Sequence, residues 1–243
     1  MRFGFIGAGP MALNIAKKLA KNGHDIKIAD ARGIERLEGK ELAGKPVSVE
    51  EVITDIDVLI VSIPFNALPS IRSVIEQVGE EVVIVDTSNY YSVRDNNIEE
   101  IKNGMVESVW VSQQLGRPII KAFNNLLAYT LEYKGTPEGT SERLAIAIAG
   151  DNQSHKQIIM NVVNEVGFDP LDGGSLGESW RQQPGTPGYC TELTKEELTA
   201  AMKRANKEKA RFQRDKVLEQ LPAFTKGISH QDLVNLNREY QLY

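Results

Sequence analysis

Short apolar runs alternate with amphipathic stretches along most of the chain, and their two periods are separable. Phe3, Phe5 and Ile6 predict a first strand and Gly7-Ala8-Gly9 a tight turn. Residues 11–21 predict a helix with Leu13, Ala16, Leu19 and Ala20 on one side. Asp25-Ile26-Lys27-Ile28-Ala29 reads as the second strand, and Ser48 with Glu51 as a capping box opening a short helix. Nearly continuous apolar runs at 57–63, 81–86 and 118–123 predict buried strands. Between them, 68–77 (core face Ile71, Val74 and Ile75) and 108–115 predict helices. Val/Ile runs of this kind, separated by helices, belong to a parallel sheet covered on both faces. Residues 144–149, 151–166 and 167–172 then predict strand, helix and short strand.

The Pro- and Gly-rich loop at 182–188 marks a change of character. Beyond it a highly charged segment, opened by Thr194 and Glu197, reads as helix to about residue 220, with Leu198, Ala201, Met202 and Ala205 as a narrow apolar stripe. Pro222 ends or kinks it, and Ser229 with Asp232 opens a last short helix. The expected fold is α/β: a doubly wound, mostly parallel sheet with a small C-terminal α/β region and a helical tail. The expected division is 1–150 for a dinucleotide-binding domain, 151–190 for the small region and 191–243 for the tail. The tail's stripe suits a solvated helix packed on the body, a homodimer contact or a lid.

The turn after the first strand carries the strongest chemical signal. Gly7, Gly9 and Ala12 form a Gly-x-Gly-x-x-Ala pattern between a strand and a helix. Gly7 permits the turn, Gly9 lets backbone approach a pyrophosphate, and Ala12 keeps helix and strand close; the helix N-terminus offers N–H groups to the phosphates. In an open α/β sheet the ligand lies at the carboxyl ends of the strands. The candidates for cofactor binding are therefore Gly7, Ala8, Gly9, Pro10 and Met11, then Asp30 and Arg32, Ser62, Ile63 and Pro64, Asn89 and Asn124. Asp30 suits the ribose hydroxyls of NAD and Arg32 the 2′-phosphate of NADP, so both dinucleotides stay open, with electrostatics leaning to NAD. Lys121 and Asn125 have a Lys-x-x-x-Asn spacing known from hydroxyacid dehydrogenases. Here the lysine falls inside a strand, which points to coincidence.

Composition narrows the picture further. The chain has 243 residues, a net charge of −5, 41% hydrophobic and 25% charged residues, which give no electrostatic case for nucleic acid or an acidic membrane surface. No apolar run reaches bilayer-spanning length, and the opening strand, turn and helix do not read as a leader, so a cytoplasmic protein is expected. Cys190, the single cysteine, reads as an incidental buried thiol. His24, His155 and His230 have no partner at metal-ligand spacing, and no metal is expected. No conspicuous acid or base stands out, which suits hydride transfer between two cofactor rings, where the protein mainly positions the reactants.

Several segments in one order carry a resemblance. They are Gly7 to Ala12, Asn22-Gly23-His24, Ala29 to Gly33, Val61 to Pro64, Asp86 to Tyr91, Lys121 to Asn125, Ala149-Gly150-Asp151 and Gly167 to Asp172. Together, over roughly residues 1–184, they resemble the NADP oxidoreductases dependent on the deazaflavin coenzyme F420 and their bacterial relatives. The resemblance implies a Rossmann-type domain with a small C-terminal domain, and a nicotinamide stacked against a second redox ring in the cleft between them. It also implies that Gly7, Gly9, Pro10 and Met11 hold the pyrophosphate, that Arg32 faces the 2′-phosphate, and that Ile63 and Pro64 line the nicotinamide. Asp30-Ala31 departs from the family's small polar pair, and the segment from about Gly185 has no counterpart in the archaeal-type enzymes. The leading expectation is an oxidoreductase moving hydride between NAD(P)H and a flavin-like or deazaflavin acceptor. A small-substrate dehydrogenase or imine-type reductase and a non-catalytic NAD(P)-binding sensor are the alternatives.

Overall fold

The computed structural model describes residues 1–223 and 227–240. Six strands form one parallel sheet in the order β3-β2-β1-β4-β5-β6: β1 (Arg2–Ile6), β2 (Asp25–Ala29), β3 (Lys45–Pro46), β4 (Val58–Val61), β5 (Val83–Asp86) and β6 (Ile120–Lys121). Phe5 lies between Ile28 of β2 and Ile60 of β4, and Asp86 between Val61 and Lys121. All residues of β4 and β5 are buried, which explains why their sequences are apolar on both faces. One face packs Phe3, Phe5 and Ile28 against helix α1 (Pro10–Lys21), whose buried residues are Ala12, Ile15, Ala16 and Leu19. The expected face of α1 is thus rotated, since Leu13 and Ala20 are only half-buried. The other face packs Ile6, Val61 and Ile84 against Phe65, Trp110 and Val111, the last two from α2 (Glu107–Leu115).

The helix expected at 68–77 is instead a 3-10 helix, Phe65–Ile71, followed by a single turn, Arg72–Ile75. Pro69 lies inside the first of these, where its missing N–H disfavours a continuous α-helix. After α3 (Ala128–Tyr133), strand β7 (Ala145–Ile148) pairs in parallel with β8 (Asp169–Asp172) across α4 (Gln153–Glu165). This small sheet is sewn to the large one by an antiparallel bridge, in which Lys121 and Ala149 exchange N–H···O bonds of 2.8 and 3.0 Å. One strand of the small sheet therefore comes from either side of residue 150.

The charged segment expected as one helix to about residue 220 is two, α5 (Lys195–Arg204) and α6 (Lys207–Gln220), with the break at Ala205, whose ψ of 139° is extended. Asn206 restarts the chain as an N-cap, accepting from the Lys209 amide at 3.1 Å. Leu198, Ala201 and Met202 are buried, and Leu198 and Met202 pack on Ala145 and Ala147, so α5 belongs to the body. Helix α7 (His230–Tyr240) begins where Ser229 Oγ accepts from the Asp232 amide at 3.1 Å.

Candidate functional site

At the end of β1 the backbone turns at Gly7, whose φ is +116° and whose N–H donates to Ala29 at 2.8 Å. A Cβ there would meet the Ser62 carbonyl oxygen at 2.1 Å, so only glycine lets β1 and β4 lie side by side at the switch point. Gly9 differs. It is the N-cap of α1, and a Cβ placed on it would have nothing within 4 Å. No side chain caps α1, its first turn carries no acid, and Pro10 at the first helical position lacks an N–H in any case. The N-terminus of α1 is therefore an uncapped, positively polarised end facing open space, which fits an incoming pyrophosphate. Ala12 is buried, while Ala8 and Met11 are half-buried beside it.

At the end of β2 the two competing residues are bonded to each other. Asp30 Oδ1 accepts from the Arg32 amide at 3.0 Å and from Nε at 3.1 Å, and Oδ2 accepts from Nη2 at 3.2 Å. The Arg32 guanidinium holds the Asp30 carboxyl below the usual carboxylate range. Asp30 is 5% exposed whereas the Arg32 side chain is 67% exposed. The carboxylate is spent on orienting the guanidinium, and what the loop offers to solvent is the cation. This removes the electrostatic objection to a 2′-phosphate.

Ser62, Ile63 and Pro64 follow β4, with the Ser62 N–H bonded to Ile6 at 2.9 Å and Pro64 starting the 3-10 helix. Asn89 and Asn124 do meet at the rim. Asn89 Nδ2 donates to the Asn124 carbonyl at 3.0 Å, and Asn124 Nδ2 donates to Asn89 Oδ1 at 3.1 Å and to the Gln182 carbonyl at 2.9 Å. Gln182 Nε2 returns a bond to Asn124 Oδ1 at 2.8 Å and donates to Ala147 at 2.9 Å. Asn124 is thus a buried brace between the sheets, and Asn89 is the amide nearer solvent. The preceding Phe123, fully buried at φ +62°, turns the chain into this brace.

Beneath the rim lies a buried ionic group that sequence reasoning missed. Lys121 Nζ donates to Asp86 Oδ2 at 2.7 Å and to the Ser88 carbonyl, binding β6 to β5 and leaving no sign of a catalytic lysine. Glu107, at the start of α2, accepts from the Tyr90 amide at 3.2 Å, and burial pushes its carboxyl up to about 7 against the pull of Lys121. Tyr91 and Tyr189 share a 2.6 Å hydrogen bond between hydroxyls, and burial pushes both phenols up, so they are protonated donors at neutral pH. Burial likewise pushes the Cys190 thiol up to about 12, which leaves no nucleophilic thiolate. Two aromatic residues and an acid separated by many positions leave no sequence signal, because only the fold joins them.

Two cavities adjoin this group, the phenols lining one and Glu107 the other. One of about 320 Å³ has an almost wholly apolar lining that includes Tyr91, Leu127, Pro184, Tyr189, Val217 and Leu233. A neighbour of about 220 Å³ has a more polar lining that includes Lys102, Glu107, Gln183, Lys207 and Arg211; Pro184 and Arg214 border both. Val217 and Leu218 of α6 and Leu233 of α7 supply part of the wall of the larger cavity. Among the described residues no group of His, Cys, Asp and Glu could hold a metal ion, and no helix is long and apolar enough to cross a membrane.

The arrangement has known counterparts. Residues 2–90 match the family model described as "NADP oxidoreductase coenzyme F420-dependent". Over 108 residues the chain is 36% identical to protein YjhV of Escherichia coli K12, covering 44% of this chain and 79% of that protein. Among solved structures, hypothetical protein SMa0349 of Sinorhizobium meliloti superposes with a TM-score of 0.65 at 23% identity, covering 80% of this chain and 95% of that one. A candidate F420-dependent NADP-reductase of Arthrobacter sp. FB24 superposes with a TM-score of 0.57 at 15% identity, covering 72% and 86%. The two structures share the fold of this chain. By the match of residues 2–90 and the likeness to a relative of which it covers 79%, the chain belongs to the coenzyme F420-dependent NADP oxidoreductase family.

Proposed function

We propose that this NAD(P)-dependent oxidoreductase transfers hydride between NADP(H) and a flavin-like or deazaflavin acceptor held in the cleft that α6 and α7 close. The observation that carries the reading is the conjunction of an uncapped α1 N-terminus at Gly9 with a ring-sized apolar cavity beyond the ends of β5 and β6. In this reading Gly7, Ala8, Gly9, Pro10 and Met11 receive the pyrophosphate, and Arg32, oriented by Asp30, receives the 2′-phosphate. Ser62, Ile63 and Pro64 run along the nicotinamide. Asn89 hydrogen-bonds its polar edge, and Asn124 fixes Asn89. The cofactor supplies the hydride, and the chain aligns two rings and keeps water from between them. Division into a dinucleotide-binding domain at 1–150, a small region at 151–190 and a tail at 191–243 then corresponds to cofactor half, brace and acceptor wall.

A second reading is favoured by one feature, the Tyr91–Tyr189 pair. With Tyr189 donating to Tyr91, the protonated Tyr91 hydroxyl at the apolar cavity can donate a hydrogen bond to a carbonyl or imine acceptor, as a small-substrate reductase requires. The experiment is to follow NADPH and NADH oxidation with flavin, deazaflavin and carbonyl or imine acceptors, in the natural protein and in Arg32→Ala. Turnover with flavin-type acceptors is expected, and Arg32→Ala raises the KM for NADPH roughly tenfold, the loss of one charge-assisted contact, while leaving that for NADH unchanged. Turnover with carbonyl or imine acceptors alone replaces the first reading by the second. Absence of turnover with all of them leaves a binding module.

A further inference from the structure

We propose that Arg94 is a positioning residue, which holds the Asn89 amide on the nicotinamide side and the Tyr91 phenol on the cavity side at a fixed spacing. This rests on the hydride-transfer reading of the same cleft and adds a residue to which the candidates at the strand ends give no role. Beyond β5, Tyr90 is buried against Phe65, with 5.4 Å between ring centroids, so Asn89 and Tyr91 flank an anchored residue. Tyr91 borders the larger cavity, as Arg94 does. The single helical turn that follows, Ser92–Asp95, folds back on both neighbours. Arg94 Nη2 uses its two N–H groups on the Asn89 carbonyl, at 2.6 Å, and on Asp95 Oδ2, at 2.7 Å, while Nε donates to Asp95 Oδ1 at 2.9 Å. The guanidinium carbon lies over the Tyr91 ring, 5.3 Å from its centre.

Three features set this pair apart from a solvated surface ion pair. The Asp95 side chain is 0% exposed although that of Arg94 is 51% exposed, and a carboxylate taken out of water is costly unless it is well bonded. Its third bond comes from the Tyr91 amide at 2.9 Å, so one buried carboxylate fixes both the arginine and the backbone of the phenol. The second feature is Asn96, which ends the turn at φ +65° and ψ 175°, a conformation seldom adopted except by glycine. Its carbonyl accepts from the Tyr90 hydroxyl at 2.8 Å, and strain of this kind persists only where the surroundings impose it. The third is Asn66, whose Nδ2 donates to the Arg94 carbonyl at 3.4 Å and brings in the loop that begins with Pro64. Lysine would keep the charge without the fork. One ammonium on a flexible stem does not hold two carboxylate oxygens and the Asn89 carbonyl in a single plane.

NADPH and 2′-phospho-ADP-ribose separate this role from a merely structural one, since the second lacks the nicotinamide. Their affinities for the full chain are to be measured by titration calorimetry in the natural protein, Arg94→Lys and Asp95→Asn. Each variant is expected to bind NADPH about tenfold more weakly, the worth of one hydrogen bond, and to bind 2′-phospho-ADP-ribose as before, which also reports that the fold survives. The double variant loses no more than either single one, because the two side chains act as a unit. With flavin mononucleotide as acceptor, kcat for NADPH oxidation falls at least about tenfold in Arg94→Ala, the effect of misplaced reactants. Added guanidinium, admitted at this half-exposed position, restores part of that loss and ammonium does not. Unchanged NADPH affinity, equal weakening of both ligands, additive losses or a kcat indifferent to guanidinium would overturn the proposal. A loss confined to NADPH in a protein that never oxidises it would instead sink the hydride-transfer reading and leave the hold of Arg94 on Asn89 standing. NADPH oxidation with unchanged affinities in the variants does the reverse.

Discussion

Glu107 and Asp30 show how differently one protein treats two buried carboxyls. Asp30 keeps its charge because Arg32 forks onto it, and its proton affinity falls. Glu107 has backbone rather than guanidinium for its hydrogen-bond partner, and burial raises it from 4.5 to about 7. The consequence for stability has a definite sign. Between those two values the folded state keeps a proton that the unfolded state gives up, so Glu107's contribution is fully present below about pH 4.5. It is lost as pH rises through about 7. Glu107→Gln removes the titration while preserving an acceptor for the Tyr90 amide. Urea unfolding is therefore expected to show the two proteins nearly equal at pH 5, and the variant more stable at pH 8 by up to about 3 kcal/mol. A difference that does not change with pH would mean that Lys121 keeps Glu107 ionised throughout.

Among the elements, α6 is the one whose placement depends on a single backbone position. Gly185 has a φ of +87°, and a Cβ on it would lie 1.8 Å from the Ala210 carbonyl oxygen in α6. Gly185→Ala thus combines left-handed strain with a collision against helix backbone. Thermal unfolding should report a loss of roughly 2–4 kcal/mol, with the tail more open to protease than the β1–β6 sheet. A variant as stable as the parent would show that α6 docks elsewhere. The loop holding Gly185 stands out in the sequence only as a change of character, because proline and glycine announce a turn but not what packs on it. β1, β4 and β5 are legible for the opposite reason: buried on both faces, they carry their environment in their own residues, while β2 shows it in the alternation of Ile26 and Ile28 with Asp25 and Lys27. The break at Ala205 was hidden, since Asn206 within a charged run gives no periodicity to interrupt. Pro69 is visible in the sequence, and the apolar spacing of 68–77 outweighs it only until the fold shows the 3-10 helix.

Over the whole molecule, the candidate residues around the glycine turn are legible in the sequence and those around the two cavities are not. Gly7, Gly9, Asp30 and Arg32 lie close to the strand ends that position them, so local sequence suffices. The phenols, Gln182 and the tail are joined only by long-range packing. That packing also connects the two halves mechanically. Asn14 of α1 donates to Ala128 of α3 at 3.0 Å, and α3 with the residue after it supplies Thr130 and Lys134, which both donate to Glu192 at 2.7 Å. His230, at the start of α7, pairs with the same carboxylate at 2.7 Å and stacks on Tyr129, while Arg238 donates to the Thr191 and Glu192 carbonyls at 2.8 and 3.1 Å. Burial would raise the Glu192 carboxyl, yet the bonds from Lys134, Thr130 and His230 hold it below the usual value. Its sign is therefore opposite to that of Glu107. The stabilisation is present above the ordinary glutamate value of 4.5 and disappears as pH falls through the depressed folded value. Glu192→Gln at neutral pH keeps the size of the side chain and removes the charge that gathers three donors. Hydrogen exchange in α7 is expected to accelerate about tenfold, the equivalent of some 1.4 kcal/mol, while α1 keeps its protection. Equal acceleration in both helices would mean that Glu192 stabilises the whole fold. A selective change in α7 would identify the carboxylate as the fastening that holds α7 against α3.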